Sequence, residues 1–150
     1  MNALHDLYQE MILDHAKSPK NWGHIAERTH CAKGHNPLCG DHIVLELKVL
    51  DNIIIDIAFS GDGCAISKAS SSLMTEAVKG KTIGEASDIF TNFHHMLTLD
   101  NEDQAAIDAL GKLGVFLGVK QFPMRVKCAT LSWHTLQAAM HNQNDQISTE

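Results

Sequence analysis

The sequence predicts an α+β fold, a small three-stranded antiparallel sheet followed by a run of helices. Two observations carry this. Between Ile43 and Phe59 apolar residues alternate in two short runs broken only by Asp51-Asn52, the pattern of a hairpin with a two-residue turn. From Ala65 onward apolar residues recur at three- and four-residue spacing, punctuated by glycine and proline. The chain of 150 residues fits one domain, 1–150, with an aliphatic core, since 44% of the residues are apolar and only 5% aromatic.

Taken in order, a first helix is predicted over residues 3–16, where Leu4, Leu7, Tyr8, Met11 and Ile12 share a face and Ser18-Pro19 ends it. Asn21-Trp22-Gly23 is a loop, with Trp22 as a lid at the core edge. A first strand is predicted over 27–33, with Cys31 a half-buried member of it. The strand His42–Leu50 turns Ile43, Leu45, Leu47 and Val49 to one face, and Ile53–Phe59 completes the sheet. Ser60-Gly61-Asp62-Gly63 is expected to turn sharply into a helix over Ala65–Lys79, with Ile66, Ala69, Leu73, Met74, Ala77 and Val78 inward. Ser67, Ser70, Ser71 and Ser72 on that helix are close-packing residues, because no Ser-His-Asp order accompanies them.

Gly80 closes this helix, and Thr82 with Glu85 three residues on forms a capping box for the next, which runs to about Met96. His94 and His95 point a quarter-turn or more apart on a helix, so they are expected at the surface rather than on one ion. The acidic run Leu99–Asp103 is a solvated helix start, followed by a helix over Gln104–Leu113 and a looser apolar stretch over Gly114–Gly118. The last helix begins around Pro123 and runs to about His141, with Val126, Leu131, Leu136 and Met140 inward. The polar tail from Asn142 is expected to fray.

Charge and composition exclude several classes of function. A net charge of −6 argues against nonspecific nucleic-acid binding, which needs a basic face. No apolar run is long enough to span a bilayer, and the segment from Met1 to Asp6 has neither the basic nor the apolar region of a secretory signal. The expected setting is therefore the cytoplasm, where the four cysteines stay reduced and point to metal or reactive chemistry.

Three of those cysteines stand in similar places. Cys39 and Asp41 lie two apart in Asn36-Pro37-Leu38-Cys39-Gly40-Asp41, at the mouth of the apolar strand. Strand alternation would turn both toward one point, and Gly40 between them would let a metal or partner come close. Cys64 follows Gly61-Asp62-Gly63 at a helix start, where exposed N–H groups should make the thiol more acidic. Cys128 follows Arg125 and Lys127 near the start of the last helix. Three thiolates and a carboxylate make a tetrahedral set suited to Zn2+ or to a labile iron–sulfur cluster. Arg125, Lys127 or Lys68 would offset the negative charge of such a site. The ligands are far apart in sequence, so a shared metal site and three unrelated cysteines both stand as readings at this point.

Asn36-Pro-Leu-Cys-Gly-Asp41, Gly61-Asp-Gly-Cys-Ala-Ile-Ser-Lys-Ala-Ser70 and Arg125-Val-Lys-Cys-Ala-Thr-Leu-Ser-Trp133 resemble the three blocks of the NifU/IscU-type iron–sulfur assembly proteins. The resemblance covers nearly the whole chain, including Asp14-His15 and Pro19 at the end of the first helix. It is strongest to the SufU branch, because Lys127 stands where IscU-type proteins have a histidine and the interval from Cys64 to Cys128 is long. It implies the SufE/NifU-like arrangement, a small antiparallel sheet with helices packed mainly on one face. It also implies a metal site at Cys39, Asp41, Cys64 and Cys128, flanked by Gly40, Gly63, Arg125 and Lys127. The implied cofactor is Zn2+, or alternatively a [2Fe–2S] cluster. The implied partners are a pyridoxal-phosphate cysteine desulfurase of SufS-like type and downstream iron–sulfur assembly or acceptor proteins. Cys39 is the expected sulfur acceptor, since it shares a flexible turn with Gly40, and Cys128 is the runner-up. Cys31 has no counterpart in the motif.

Overall fold

In the computed structural model, which describes residues 3–99, 103–141 and 146–148, the two alternating runs form the predicted hairpin. Strands β2 (Asp41–Leu50) and β3 (Ile53–Asp62) are antiparallel and joined at Asp51 and Asn52, whose φ angles of 52° and 65° are those of a type I′ turn. Strand β1 (His30–Asn36) pairs antiparallel with β2 from His30 opposite Leu47 to Asn36 opposite Asp41. The predicted strand over 27–33 is therefore displaced toward the C-terminus. Its inward residues are Ala32, Gly34 and Asn36, too small or polar to show an apolar alternation. They are small because a helix lies directly on them: a Cβ at Gly34 would run into Thr135 Oγ1 and Ile43 Cγ2.

Strand β3 also outruns its prediction. Ser60, Gly61 and Asp62 stay in the ladder opposite Val44, Ile43 and His42, and only Gly63 and Cys64 connect the strand to helix α2 (Ala65–Val78). Gly61 has φ 133°, and a Cβ there would meet the carbonyl of His42. A fourth short strand, β4 (Gln146–Ser148), runs parallel to β1 from within the tail expected to fray, giving the order β3-β2-β1-β4.

Helix α1 (Ala3–Lys17) lies on α2, and α3 (Ile83–Thr98) starts at the predicted capping box, with Thr82 Oγ1 accepting from Glu85 N and Glu85 accepting from Thr82 N. Asp100–Glu102 of the acidic run lie outside the described residues, while Asp103 caps α4 (Gln104–Ala109) by accepting from Ala105 N and Ala106 N. Helix α4 stops well short of Leu113 because Gly111 turns left-handed at φ 58°. The apolar stretch beyond it, Gly111–Val119, is a 3₁₀ helix that buries Leu113, Val115, Phe116 and Val119.

The last helix, α5 (Pro123–Met140), starts with Pro123 in its first turn and is the centre of the molecule. It packs on β1 and β2 and also touches α2 and α3, so residues on all its sides from Cys128 to Met140 are buried. Of the four predicted inward residues, Leu131, Leu136 and Met140 are buried and Val126 is partly so. Trp133 stacks on Phe93 at 4.7 Å, and its Nε1 donates to Ser70 Oγ, which itself donates to the carbonyl of Ala129. The serines of α2 thus pack and hydrogen-bond as structural residues, Ser71 to the carbonyl of Ser67 and Ser72 to His15.

The opposite face of the sheet carries no packed helix among the described residues. There Glu46, buried in the middle of β2, pairs with His24 at 2.6 Å and Arg28 at 3.2 Å, which straps the 18–29 segment across the sheet. The same segment covers the β3 edge, where Trp22 meets Phe59 edge-on and remains about half exposed (49%) as a lid. Among the described residues no helix is long and apolar enough to cross a membrane.

Candidate metal centre

The turn between β1 and β2 delivers the first two side chains. Residues 37–40 form it, closed by Cys39 N donating to Asn36 O at 3.3 Å and Leu38 N donating to Asn36 Oδ1 at 3.2 Å. Strand alternation does not explain the convergence of Cys39 and Asp41, because Cys39 lies in the turn and only Asp41 is in the strand. Gly40 is the device: its φ of 70° folds the chain back, and the space around it is open, so its value is conformational rather than steric.

Asp41 is fully buried. Its Oδ1 accepts the backbone N–H of Cys64 at 2.8 Å, and its Oδ2 lies 3.8 Å from Cys64 Sγ. Gly63 makes this contact possible, since a Cβ there would sit 2.8 Å from Asp41 Oδ1. Cys64 is the N-cap of α2, and its Sγ accepts from Ser67 N at 3.4 Å. The expectation of an acidified Cys64 fails for the thiol in its protein surroundings. Burial pushes its pKa up, the Asp41 charge adds to that, and the helix N–H donors only partly offset the rise.

Cys128 arrives from the second turn of α5, 3% exposed, with its Sγ 3.0 Å from Cys39 Sγ. Burial pushes its pKa up as well, with Cys39, Cys64 and Asp41 acting in the same direction. The ligand atoms of Cys39, Asp41 and Cys128 all lie within 4.8 Å of one another. Cys64 adjoins this group through Asp41 rather than as a member of it.

Other residues stand apart. Cys31 is on β1 opposite Glu46 and outside the group. His94 packs against Phe90 and His134. Arg125 is exposed with its guanidinium 4.5 Å from the Phe122 ring, Lys68 lies 5.9 Å from the Trp22 ring, and Lys127 is half-buried. Among the described residues none of the three pairs with Asp41, so the expected charge offset is not made by direct contact. In the sequence Asn36 stands only as the residue before Pro37 in the Cys39 block, with no role of its own. The structure buries it completely and aims its Nδ2 at Cys128 Sγ, 3.8 Å away.

The donor set fits a soft divalent cation. A buried carboxylate beside converging thiols, with no basic side chain paired to it among the described residues, is costly to hold unless a cation joins it. Sulfur with one oxygen suits zinc or iron, not the all-oxygen shells of magnesium or calcium.

Comparison with known proteins identifies the family. The NifU-like N terminal domain family matches residues 7–129. The chain is 42% identical over 134 residues to the zinc-dependent sulfurtransferase SufU of Bacillus subtilis, covering 89% of each chain. It is 39% identical over 140 residues to the iron–sulfur cluster assembly scaffold protein IscU of Streptococcus pyogenes, covering 93% of this chain and 86% of that one. Among solved structures, a putative iron–sulfur cluster assembly scaffold protein for the SUF system from Fervidobacterium islandicum superposes with a TM-score of 0.82 at 38% identity, over 91% of this chain and 98% of that one. The N-terminal part of a NifU-like protein from Brucella abortus gives 0.81 at 25% identity, over 94% and 96%. The chain belongs to the NifU-like N-terminal domain family, the iron–sulfur cluster assembly family of the SufU and IscU proteins.

Proposed function

We propose that this protein is a zinc-dependent sulfur acceptor working with a cysteine desulfurase in the cytoplasm, and that Cys39, Asp41, Cys64 and Cys128 hold the metal. The observation that carries the reading is the convergence of Cys39, Asp41 and Cys128 within 4.8 Å, with Cys64 bound to the same carboxylate. The similarity to a zinc-dependent sulfurtransferase supports it, as does Lys127 in place of the histidine of IscU-type proteins. Zinc, when bound, would keep the thiols ionised and ordered at neutral pH.

Cys39 is the acceptor in this proposal. It is half-buried in a turn, whereas Cys64 and Cys128 are held by helices. Its thiolate attacks the terminal sulfur of the desulfurase persulfide. A new S–S bond forms on Cys39, the old S–S bond breaks, and the desulfurase cysteine leaves as a thiolate. Asp41 keeps Cys64 and the start of α2 in place while Cys39 moves. The product persulfide then passes to downstream iron–sulfur assembly or acceptor proteins.

A second reading, a scaffold on which a [2Fe–2S] cluster is built as cargo, is favoured by the 39% identity to a scaffold protein IscU. Anaerobic purification separates the two. Colourless protein with stoichiometric zinc, releasing sulfide or persulfide with desulfurase and cysteine, supports transfer. Brown protein with iron and sulfide, inactive in that assay, overturns it in favour of the scaffold.

A further inference from the structure

The three thiols of the centre are not equivalent in what touches them. Cys128 Sγ receives the side-chain N–H of Asn36 at 3.8 Å and is buried. Cys64 Sγ receives the backbone N–H of Ser67 at 3.4 Å. Among the described residues no N–H is aimed at Cys39 Sγ, whose neighbour is the thiol of Cys128. Asn36 itself is fully buried, and three of its groups are committed. Its backbone carbonyl accepts from Cys39 N, its Oδ1 accepts from Leu38 N, and its Nδ2 faces Cys128. The Leu38 N–H needs an oxygen, and that need assigns the amide orientation and turns the NH2 group toward the sulfur.

We infer that Asn36 is a positioning residue that ranks the thiolates: by donating its amide N–H to Cys128 Sγ it holds Cys128 as a ligand and leaves Cys39 as the sulfur that reacts. This rests on the metal-centre reading above. A hydrogen bond to an ionised sulfur withdraws electron density from the lone pair that would attack, and charge-assisted bonds are the strong ones. Sulfur nucleophilicity falls with basicity, so the donor lowers the reactivity of the sulfur it touches and not of its neighbours. The same side chain braces the turn that carries Cys39, so one residue sets both the place of the reactive sulfur and the quietness of the competing one.

The test uses the full chain loaded with Co2+ as the probe metal, comparing wild type with Asn36→Ser and Asn36→Ala. Serine keeps a hydroxyl that can accept from Leu38 N but is too short to reach Cys128, so it restores the turn without the donor. Two results are expected for both variants. The sulfur-to-cobalt charge-transfer band moves to lower energy, because a thiolate that has lost its hydrogen bond gives up charge more readily. Limiting iodoacetamide, whose iodide leaves as the S–C bond forms, labels Cys128 relative to Cys39 roughly three- to tenfold more than in wild type. A second measurement needs no variant: in wild type loaded with NMR-active cadmium, the Asn36 amide protons are expected to show coupling to the metal through the N–H···S bond. If wild type binds cobalt with a thiolate band but Asn36→Ser leaves band and labelling unchanged, the inference fails while the metal centre stands; absence of the cadmium coupling in loaded wild type has the same meaning. If wild type binds neither cobalt nor cadmium, the metal-centre reading falls and this inference with it.

Discussion

The carboxylate of Asp41 accepts the backbone N–H of Cys64 at 2.8 Å, so the first residue of β2 holds the first turn of α2. Gly63 leaves room for this bond and no more, with a Cβ there falling 2.8 Å from the same oxygen. Gly63→Ala should push the carboxylate aside while leaving the distant core intact. Metal affinity is expected to fall roughly ten- to hundredfold, the range seen when groups that orient ligands are lost. Competition against a chromophoric chelator measures it; unchanged affinity with a native circular-dichroism spectrum would show that the fit of Gly63 to Asp41 is immaterial to the centre.

The four proposed ligands join the β1–β2 turn, the α2 start and α5, so bound metal ties three distant segments together. Removing it should lower the melting temperature by about 5 °C or more, since a ligand of the native state stabilises by mass action. Scanning calorimetry in excess chelator, with metal loss verified by elemental analysis, is the check. An unchanged melting curve contradicts the proposed linkage.

Among the cysteines, Cys39→Ser, Cys64→Ser and Cys128→Ser should each weaken metal binding, while Cys31→Ser should not, because Cys31 lies on β1 opposite Glu46 and outside the group. A hydroxyl in place of a thiol stays protonated near neutral pH and is a poor ligand for a soft ion. Metal content after purification reads this directly, and loss of metal in Cys31→Ser would show the site to be misassigned.

Three histidines are expected to make the fold sensitive to acid. Burial lowers the pKa of His15 despite the opposing pull of Glu76, and burial followed by a neighbouring imidazole lowers those of His94 and His134. The unfolded chain therefore takes up protons first as pH falls. The stability these neutral histidines contribute is complete above the ordinary value of about 6.5 and is lost as pH drops from there through the lowered folded values. The urea midpoint should fall between about pH 7.5 and about pH 5.5, and His134→Gln should flatten the fall. A pH-independent midpoint over that window would remove these histidines from the account.

Much of this was legible in the sequence for a definite reason. The hairpin of β2 and β3 and the capping box at Thr82 are written in side-chain pattern, and both stand in the structure. The blocks around Cys39, Cys64 and Cys128 were also visible; the structure brings Cys39 and Cys128 together with Asp41 and leaves Cys64 beside them, in contact with Asp41. What the pattern hid was small or polar residues in buried places. Ala32, Gly34 and Asn36 hid the true bounds of β1, and Thr130, Ser132 and Thr135 hid how much of the correctly predicted last helix is buried. Their burial is decided by the close approach of α5 to the sheet, a tertiary fact that local alternation does not carry. Asn36 escaped notice as a partner of Cys128 because the two are 92 residues apart.

The central place of α5 has a consequence for synthesis. A chain leaving the ribosome completes its hairpin and α2 early, yet Leu45, Leu47 and Leu73 have no α5 to pack against until residues 123–140 have emerged. Cys39 waits just as long for Cys128, 89 residues behind it. The nascent chain therefore carries an uncovered apolar sheet face until its last helix has emerged, and the proposed metal centre can be completed only then.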